Sequence, residues 1–282
     1  MDLEGRWPSH CVELFQSKLP SGSRWLVVYR DRSGIYWLDF PDLALFSVSA
    51  DGRQVAGRAY GARSAATIEH LYISQVLPLA SSLQGRILLH GGVVRITDFA
   101  IAFVAPSGSG KSTLTASFAK ARWQYLSDDS FEITALENGF VVHPGHPSIR
   151  LWDDVEESLF QNEQLSTSHT DYSSKRRIFA NNLLQHCDLS LPLACIYLLG
   201  RTPTQDIRIT MPAASHSIPA LVSQSFLLDV TDQRLMHTHL DCVSSLLAKQ
   251  IVFNIDYPRR FDRLGDVRDA ILTHANSVAR NS

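Results

Sequence analysis

Cysteine is scarce in this chain of 282 residues: Cys11, Cys187, Cys195 and Cys242 stand far apart, with no CxxC pair. That spacing argues against a thiolate metal site or a disulfide framework, and buried, inert thiols are expected instead. Charge of one sign is also lacking. Lys and Arg total 26 against 28 Asp and Glu, a formal net charge of −2. Without the basic excess of phosphate-backbone binders, no nucleic-acid partner is expected. Long apolar runs are missing too, since stretches such as Leu191 to Leu199 fall far short of the ~20 residues that cross a bilayer. The start, Met1-Asp2-Leu3-Glu4-Gly5, has neither a basic segment nor an apolar one of leader type. A soluble cytoplasmic protein with no membrane partner is the expectation. There is no internal repeat or low-complexity tract.

What is present supports a sizeable core: 45% of residues are hydrophobic and 19% charged. Up to about Gly61 the chain reads as strands. Trp25 to Tyr29 and Ile35 to Phe40 flank the hairpin turn Asp31-Arg32-Ser33-Gly34, and Phe46 to Ser49 precedes a second turn at Asp51-Gly52. Ser64 to Leu83 carries helical spacing, with Pro78 expected to kink or split it. From Ile87 the pattern becomes strand, glycine loop and helix. Ile87 to Leu89 and Ala100 to Val104 are expected strands around a turn at Asp98, and Thr113 to Arg122 the helix after the loop. Phe131 to Ile133 and Phe140 to Val142 read as strands about the turn Glu137-Asn138-Gly139. Val155 to Ala180 is polar and serine-rich, which predicts a mobile loop. Cys195 to Leu199 suits a central strand, and Ile251 to Ile255 a strand between helices at 232–249 and 264–279. The expected organisation is α/β: a small β-rich region over residues 1–84 ending in a helix, then a domain with a mixed sheet over 85–282.

The strongest signal is Ala105-Pro106-Ser107-Gly108-Ser109-Gly110-Lys111-Ser112-Thr113. It fits the P-loop pattern G-x-x-x-x-G-K-[ST], with Ala105 in place of the first glycine, and lies between an apolar strand and a helical pattern. Gly108 and Gly110 allow the backbone to turn successive N–H groups toward one anion, and the helix N-terminus adds partial positive charge. Ser107 to Thr113 would thus cradle a triphosphate. Lys111 can reach its β- and γ-phosphates, and the Ser112 hydroxyl can join a Mg²⁺ shell. No LSGGQ-like segment of transport ATPases and no NKxD-like base-reading motif of small GTPases follows. That favours phosphoryl transfer from ATP.

Two segments bracket the loop: Leu89-His90-Gly91-Gly92-Val93-Val94 upstream and Leu126-Ser127-Asp128-Asp129-Ser130-Phe131-Glu132-Ile133 downstream. In order and spacing from about Leu89 to Ile133, the chain resembles the catalytic domain of bacterial HPr kinase/phosphorylase. The first 80 or so residues do not look like that family's regulatory domain. The resemblance implies Asp128 as the base that takes the acceptor's proton, and Asp129, with Ser112, on the Mg²⁺ side. Sequence alone does not separate the two carboxylates. Adjacent residues on an extended strand would face opposite ways, and so do different jobs. His90 resembles the histidine beside the family's catalytic aspartate, where it would hold that carboxylate or contact phosphate. Gly91-Gly92 points to a close approach on this strand.

Phosphoryl transfer also recruits cations besides the loop lysine. Arg150, in Pro147-Ser148-Ile149-Arg150-Leu151-Trp152, matches an arginine-bearing segment of HPr-kinase-related proteins. Lys175 and Arg176 end the serine-rich stretch, where they would close over triphosphate or substrate. Tyr257-Pro258-Arg259-Arg260 is a further basic cluster, given no catalytic role. The layout is loosely similar to HPr-kinase-like proteins encoded beside peptide-modification genes, including kinases of lasso-peptide precursors. It implies a kinase acting on a serine or threonine hydroxyl of a peptide or small protein. A small-molecule kinase, such as one for free serine, and a slowly hydrolysing nucleotide sensor are the alternatives. Self-association is left open.

Overall fold

The computed structural model describes residues 10–19, 21–161, 163, 165, 167–200 and 204–281. The chain divides into two compact units: residues 1–86 with 170–173 and 226–238, and residues 87–169 with 174–225 and 239–282.

The first unit is built on an antiparallel meander: β1 (Val12–Lys18), β2 (Arg24–Arg30), β3 (Tyr36–Phe40), β4 (Ala44–Val48) and β5 (Val55–Ala59), in that spatial order. The register Val28↔Leu38, Leu38↔Phe46, Phe46↔Gly57 lines one row across the sheet. Val28, Leu38 and Phe46 in that row are buried. The expected hairpin at Asp31 forms, its carboxylate accepting from the Ser33 and Ile35 N–H groups and the Trp37 indole. The helical run consists of α1 (Ala65–Leu71), a π segment (Tyr72–Val76) and α2 (Leu77–Ser82). Pro78 does not break it. Having no N–H, proline leaves a carbonyl of the preceding turn without its bond, and the chain widens to a π turn with Leu77 N–H on Tyr72 C=O. Ser64 caps α1 by accepting from Thr67 N–H.

The second unit holds a nine-stranded mixed sheet. Its strands are β6 (Ile87–Leu89), β7 (Gly91–Ile96), β8 (Phe99–Val104), β9 (Tyr125–Ser127), β10 (Phe131–Leu136), β11 (Gly139–Val142), β15 (Leu191–Leu199), β16 (Arg208–Thr210) and β17 (Val252–Asp256). The order β6-β10-β11-β15-β8-β7-β9 branches at β15, which pairs with β11 near its start and in parallel with β17 near its end. β8 runs parallel along its other edge. Buried on both faces, β8 needs no polar alternation, hence the unbroken run Phe99 to Val104. Ile101 and Phe103 pack in one core, Ala100, Ala102 and Val104 in the other. On β15 a register shift between Leu193 and Cys195 flips the side chains. Leu193 therefore shares the second core with Ile196 and Leu198, while Cys195, Tyr197 and Leu199 face the first.

Helices cover both faces. α3 (Lys111–Lys120), α4 (Asp153–Phe160) and α7 (Leu264–Asn281) contribute to the first core, and α5 (Ala214–Ser223) and α6 (Gln233–Ala248) to the second. A separate three-stranded sheet, β12-β14-β13, is formed by Ser148–Leu151 (β12), Thr167–Thr170 (β13) and Ser173–Phe179 (β14). This corrects the expectation of a loop over 155–180. Its serines and threonines lowered the apolar count, but Ile178 is fully buried and pairs with Ile149. A helix and a hairpin form from few apolar anchors, because packing outweighs propensity. Positions 162, 164 and 166 of that stretch lie outside the described residues. Among the described residues no helix is long and apolar enough to cross a membrane.

Candidate functional site

The loop 105–110 leaves the C-terminal end of β8 and enters α3. Gly108 has φ 80° and Gly110 φ 87°, the left-handed conformation that other residues adopt at a cost. α3 begins at Lys111, two residues earlier than expected, with Gly110 in the N-cap place and without a side-chain cap. The first N–H groups of α3 are therefore free to meet an anion. The Lys111 ammonium curls back over the loop, donating to the carbonyls of Ala105 at 2.7 Å and Pro106 at 3.1 Å. Burial pulls its pKa down to about 8, against the opposing pull of Asp128 and Asp129.

Asp128 and Asp129 sit in a bend just past β9, not on an extended strand as expected. The bend is tied by Ser127 Oγ–H donating to Ser130 C=O. It is also braced by Gly145, whose N–H donates to Leu126 C=O at 2.8 Å. A Cβ on Gly145 would lie 2.6 Å from Ser127 Oγ, so this approach admits only glycine. Asp128 is 2% exposed. Its Oδ2 accepts the Arg150 backbone N–H at 2.8 Å, while Oδ1 has no hydrogen-bond partner; the Ser112 hydroxyl is near enough to ease the carboxylate's charge. Burial, and then the like charge of Asp129, push its pKa up to about 6.

His90 separates β6 from β7, and its Nδ1–H donates to the Asp129 carbonyl at 2.6 Å. It thus holds the backbone of the aspartate pair, and the Asp129 charge acts on its ring as well. Burial, then Lys111, lower its pKa to about 4, so the ring is neutral at pH 7. The glycines beside it are close contacts. A Cβ on Gly92 would lie 2.1 Å from Thr115 Oγ1 of α3, and one on Gly91 2.5 Å from the Phe103 carbonyl. Without a side chain at Gly92, α3 packs directly on β7.

Arg150 reaches Asp128 through its main chain, and its guanidinium is buried. Lys175 and Arg176 lie on β14 rather than on a flexible loop, and alternation turns them to opposite sides. Lys175 lies over the Trp152 ring at 5.2 Å and is among the charges acting on Asp128, Lys111 and His90. Arg176 is drawn to α4, 2.9 Å from Asp153 and 3.7 Å from Glu156. The structure therefore brings Lys111, Ser112, Asp128, Asp129, His90 and Lys175 together and directs Arg176 elsewhere.

A cleft of about 570 Å³ runs along the outer side of the loop, between Pro106 to Gly110 and the segment Tyr257 to Leu264. Arg259, given no role from sequence, is central to it. Its guanidinium lies 4.0 Å from the Tyr257 ring centroid and donates to Ser109 C=O at 2.7 Å and to Gly200 C=O. It also sits 2.9 Å from where a Gly110 Cβ would be. This contact joins positions 150 residues apart, and no local pattern announces it.

No protein-family model matches the chain, and no curated protein does. Among solved structures, the HPr(Ser) kinase/phosphatase from Coxiella burnetii aligns with 57% of this chain and 98% of its own, at 11% identity. The TM-score is 0.27. So slight a likeness lends no weight to an activity.

Proposed function

We propose that this chain is an ATP-dependent, P-loop phosphotransferase acting on a hydroxyl acceptor. The reading rests on one observation above all. A buried carboxylate with a raised pKa, Asp128, lies near the first-turn Ser112 of a helix whose N-terminal glycine loop presents open N–H groups and a lysine. Triphosphate in the loop would take the Lys111 ammonium from the Ala105 and Pro106 carbonyls, with the nucleoside lying in the cleft beside Arg259. Asp128, ionised at pH 7 yet close to its pKa, suits acceptance of the acceptor's proton. His90 keeps the Asp129 carbonyl, and hence the bend, in place. Lys175 adds positive charge as the γ-phosphoryl group moves.

Mg²⁺ fits these residues. The partnerless Asp128 Oδ1 is a buried oxygen suited to a cation or its water, and Ser112 and Asp129 supply further oxygens. Among the described residues no cluster of three or more His, Cys, Asp or Glu could hold a metal. Mg²⁺ needs only one or two protein oxygens when phosphates and waters complete its shell. Bound there, it would neutralise charge on the phosphates. In this assignment Asp128 is the base and Asp129 with Ser112 holds the ion. The nearness of Ser112 to Asp128 favours a second reading in which the carboxylates exchange roles.

The proposed acceptor is a serine or threonine hydroxyl of a peptide or small protein. A lasso-peptide precursor is its narrowest form, resting on sequence resemblance alone. The test is acceptor-dependent ADP release from purified protein, with mass spectrometry of peptide and free-serine acceptors. ADP release that no acceptor accelerates would turn the reading toward a nucleotide sensor. An Asp129→Asn defect relieved by raising Mg²⁺, and absent from Asp128→Asn, supports the first assignment; the reverse pattern exchanges the roles.

A further inference from the structure

The cleft beside the glycine loop has two unlike walls. One is the loop itself with Thr113; the other is the chain that joins β17 to α7. In that second wall Tyr257 is buried beneath the Arg259 guanidinium. A 3-10 turn, Phe261–Arg263, then leads into α7. Leu264, Val267, Ile271 and Ala275 recur at the three- and four-residue spacing of one helical face, and all are buried in the first core. Phe261 stands three residues before Leu264 and carries this stripe past the edge of the core. It is 42% exposed, against 4% for Leu264. Its turn is closed by two backbone bonds, Arg263 N–H to Arg260 C=O and Leu264 N–H to Phe261 C=O. A large aromatic ring is thus held at the rim of the cleft.

The cleft opens from the loop, so its occupant is the nucleoside attached to whatever phosphates the loop holds. How that nucleoside is recognised follows from what the walls can bond. Among the described residues no Asp, Glu, Asn or Gln side chain lines the cleft. Those are the side chains whose paired donors and acceptors tell one base edge from another. The two arginines are turned to other partners: Arg259 donates to the Ser109 and Gly200 carbonyls, and Arg260 pairs with Asp262. The hydroxyls of Ser107, Ser109 and Thr113 lie on the loop side, where phosphates would sit. What the far wall offers a base is the face of Phe261. Stacking on an aromatic face grows with the area of the base and is indifferent to its edge, because every base has a π-face.

We propose that Phe261 is the base platform of the nucleotide site: purines stack on its ring, adenine and guanine alike, and pyrimidines less well. Guanosine triphosphate would then occupy the site as readily as ATP. The inference rests on the phosphotransferase reading only in so far as a triphosphate occupies the glycine loop, and it holds equally for a nucleotide sensor.

The test is calorimetric titration of the full chain, with Mg²⁺ present, against ATP, GTP, CTP and inorganic tripolyphosphate. ATP and GTP should bind within about threefold of each other, and CTP several times more weakly. Phe261→Ala should weaken ATP and GTP by about fivefold or more and bring them close to CTP, while tripolyphosphate affinity stays within about twofold. Phe261→Trp covers the case of a variant that folds poorly. It should bind ATP at least as tightly as wild type, and ATP and GTP, but not tripolyphosphate, should quench its added fluorescence. ATP affinity untouched by Phe261→Ala would overturn the proposal while leaving the loop reading intact. So would GTP binding more than about tenfold weaker than ATP, since stacking alone does not separate the two purines. An equal fall in ATP and tripolyphosphate affinity would make Phe261 a support of the loop and not a platform. If neither ATP nor tripolyphosphate binds the wild type, the loop reading itself fails and takes the proposal with it.

Discussion

Asp128→Asn is the most telling substitution, because it should slow the proposed phosphoryl transfer and stabilise the fold at once. The amide keeps the side chain's size and can still accept from the Arg150 N–H. What it removes is a charge buried at 2% exposure beside a second carboxylate. Raising a carboxyl from 3.8 to about 6 corresponds to about 3 kcal/mol of preference for the uncharged form in the folded state. The folded protein holds this proton more tightly than the unfolded chain, so acid favours the native state. The penalty is absent below the ordinary value of 3.8, grows as pH rises through about 6, and is complete at pH 7. Each kcal/mol moves Tm by about 2–4 °C in a domain of 150–250 residues. The variant should therefore melt roughly 6–12 °C higher than wild type at pH 7, and at nearly the same temperature near pH 4. Phosphoryl transfer should meanwhile fall by about 10²–10⁴-fold, the usual contribution of a general base. Calorimetry at the two pH values, nucleotide titration and single-turnover transfer measure these effects. An equal Tm difference at both pH values would refute the buried-charge argument, and wild-type transfer would refute the base.

Three further outcomes follow from the geometry. Lys111→Ala should weaken ATP binding at least tenfold by calorimetric titration; in the wild type, affinity should decline as pH rises through about 8, where the free protein's lysine loses its proton. Arg259→Ala frees the Ser109 carbonyl and loosens the loop, so nucleotide affinity should drop severalfold with little change in the proposed transfer at saturating nucleotide; an unchanged Kd would remove Arg259 from the site. Gly92→Ala places a methyl 2.1 Å from Thr115 Oγ1 and should cost about 1–3 kcal/mol in denaturant melts, with Thr115→Ala restoring part of the loss in the double mutant.

Local chemistry made part of this protein legible. A glycine-rich loop between an apolar strand and a helix is written in adjacent residues, because left-handed turns need glycine and a doubly buried strand needs an unbroken apolar run. The Asp31 hairpin, β10 and β11 about their turn, and β15 at the centre of its sheet follow from the same short-range rules. Residues 155–180 did not, since their few anchors, such as Val155 and Ile178, gain meaning only from what they pack against. Tertiary structure decided how the charges are shared out. It turned Arg176 to the acids of α4, laid Lys175 over Trp152, set His90 on the Asp129 carbonyl, and carried Arg259 from the far end of the chain onto Ser109. These are contacts between side chains and backbone groups distant in sequence. Residue type sets what each group can bond, while the path of the chain sets which partner comes within about 3 Å.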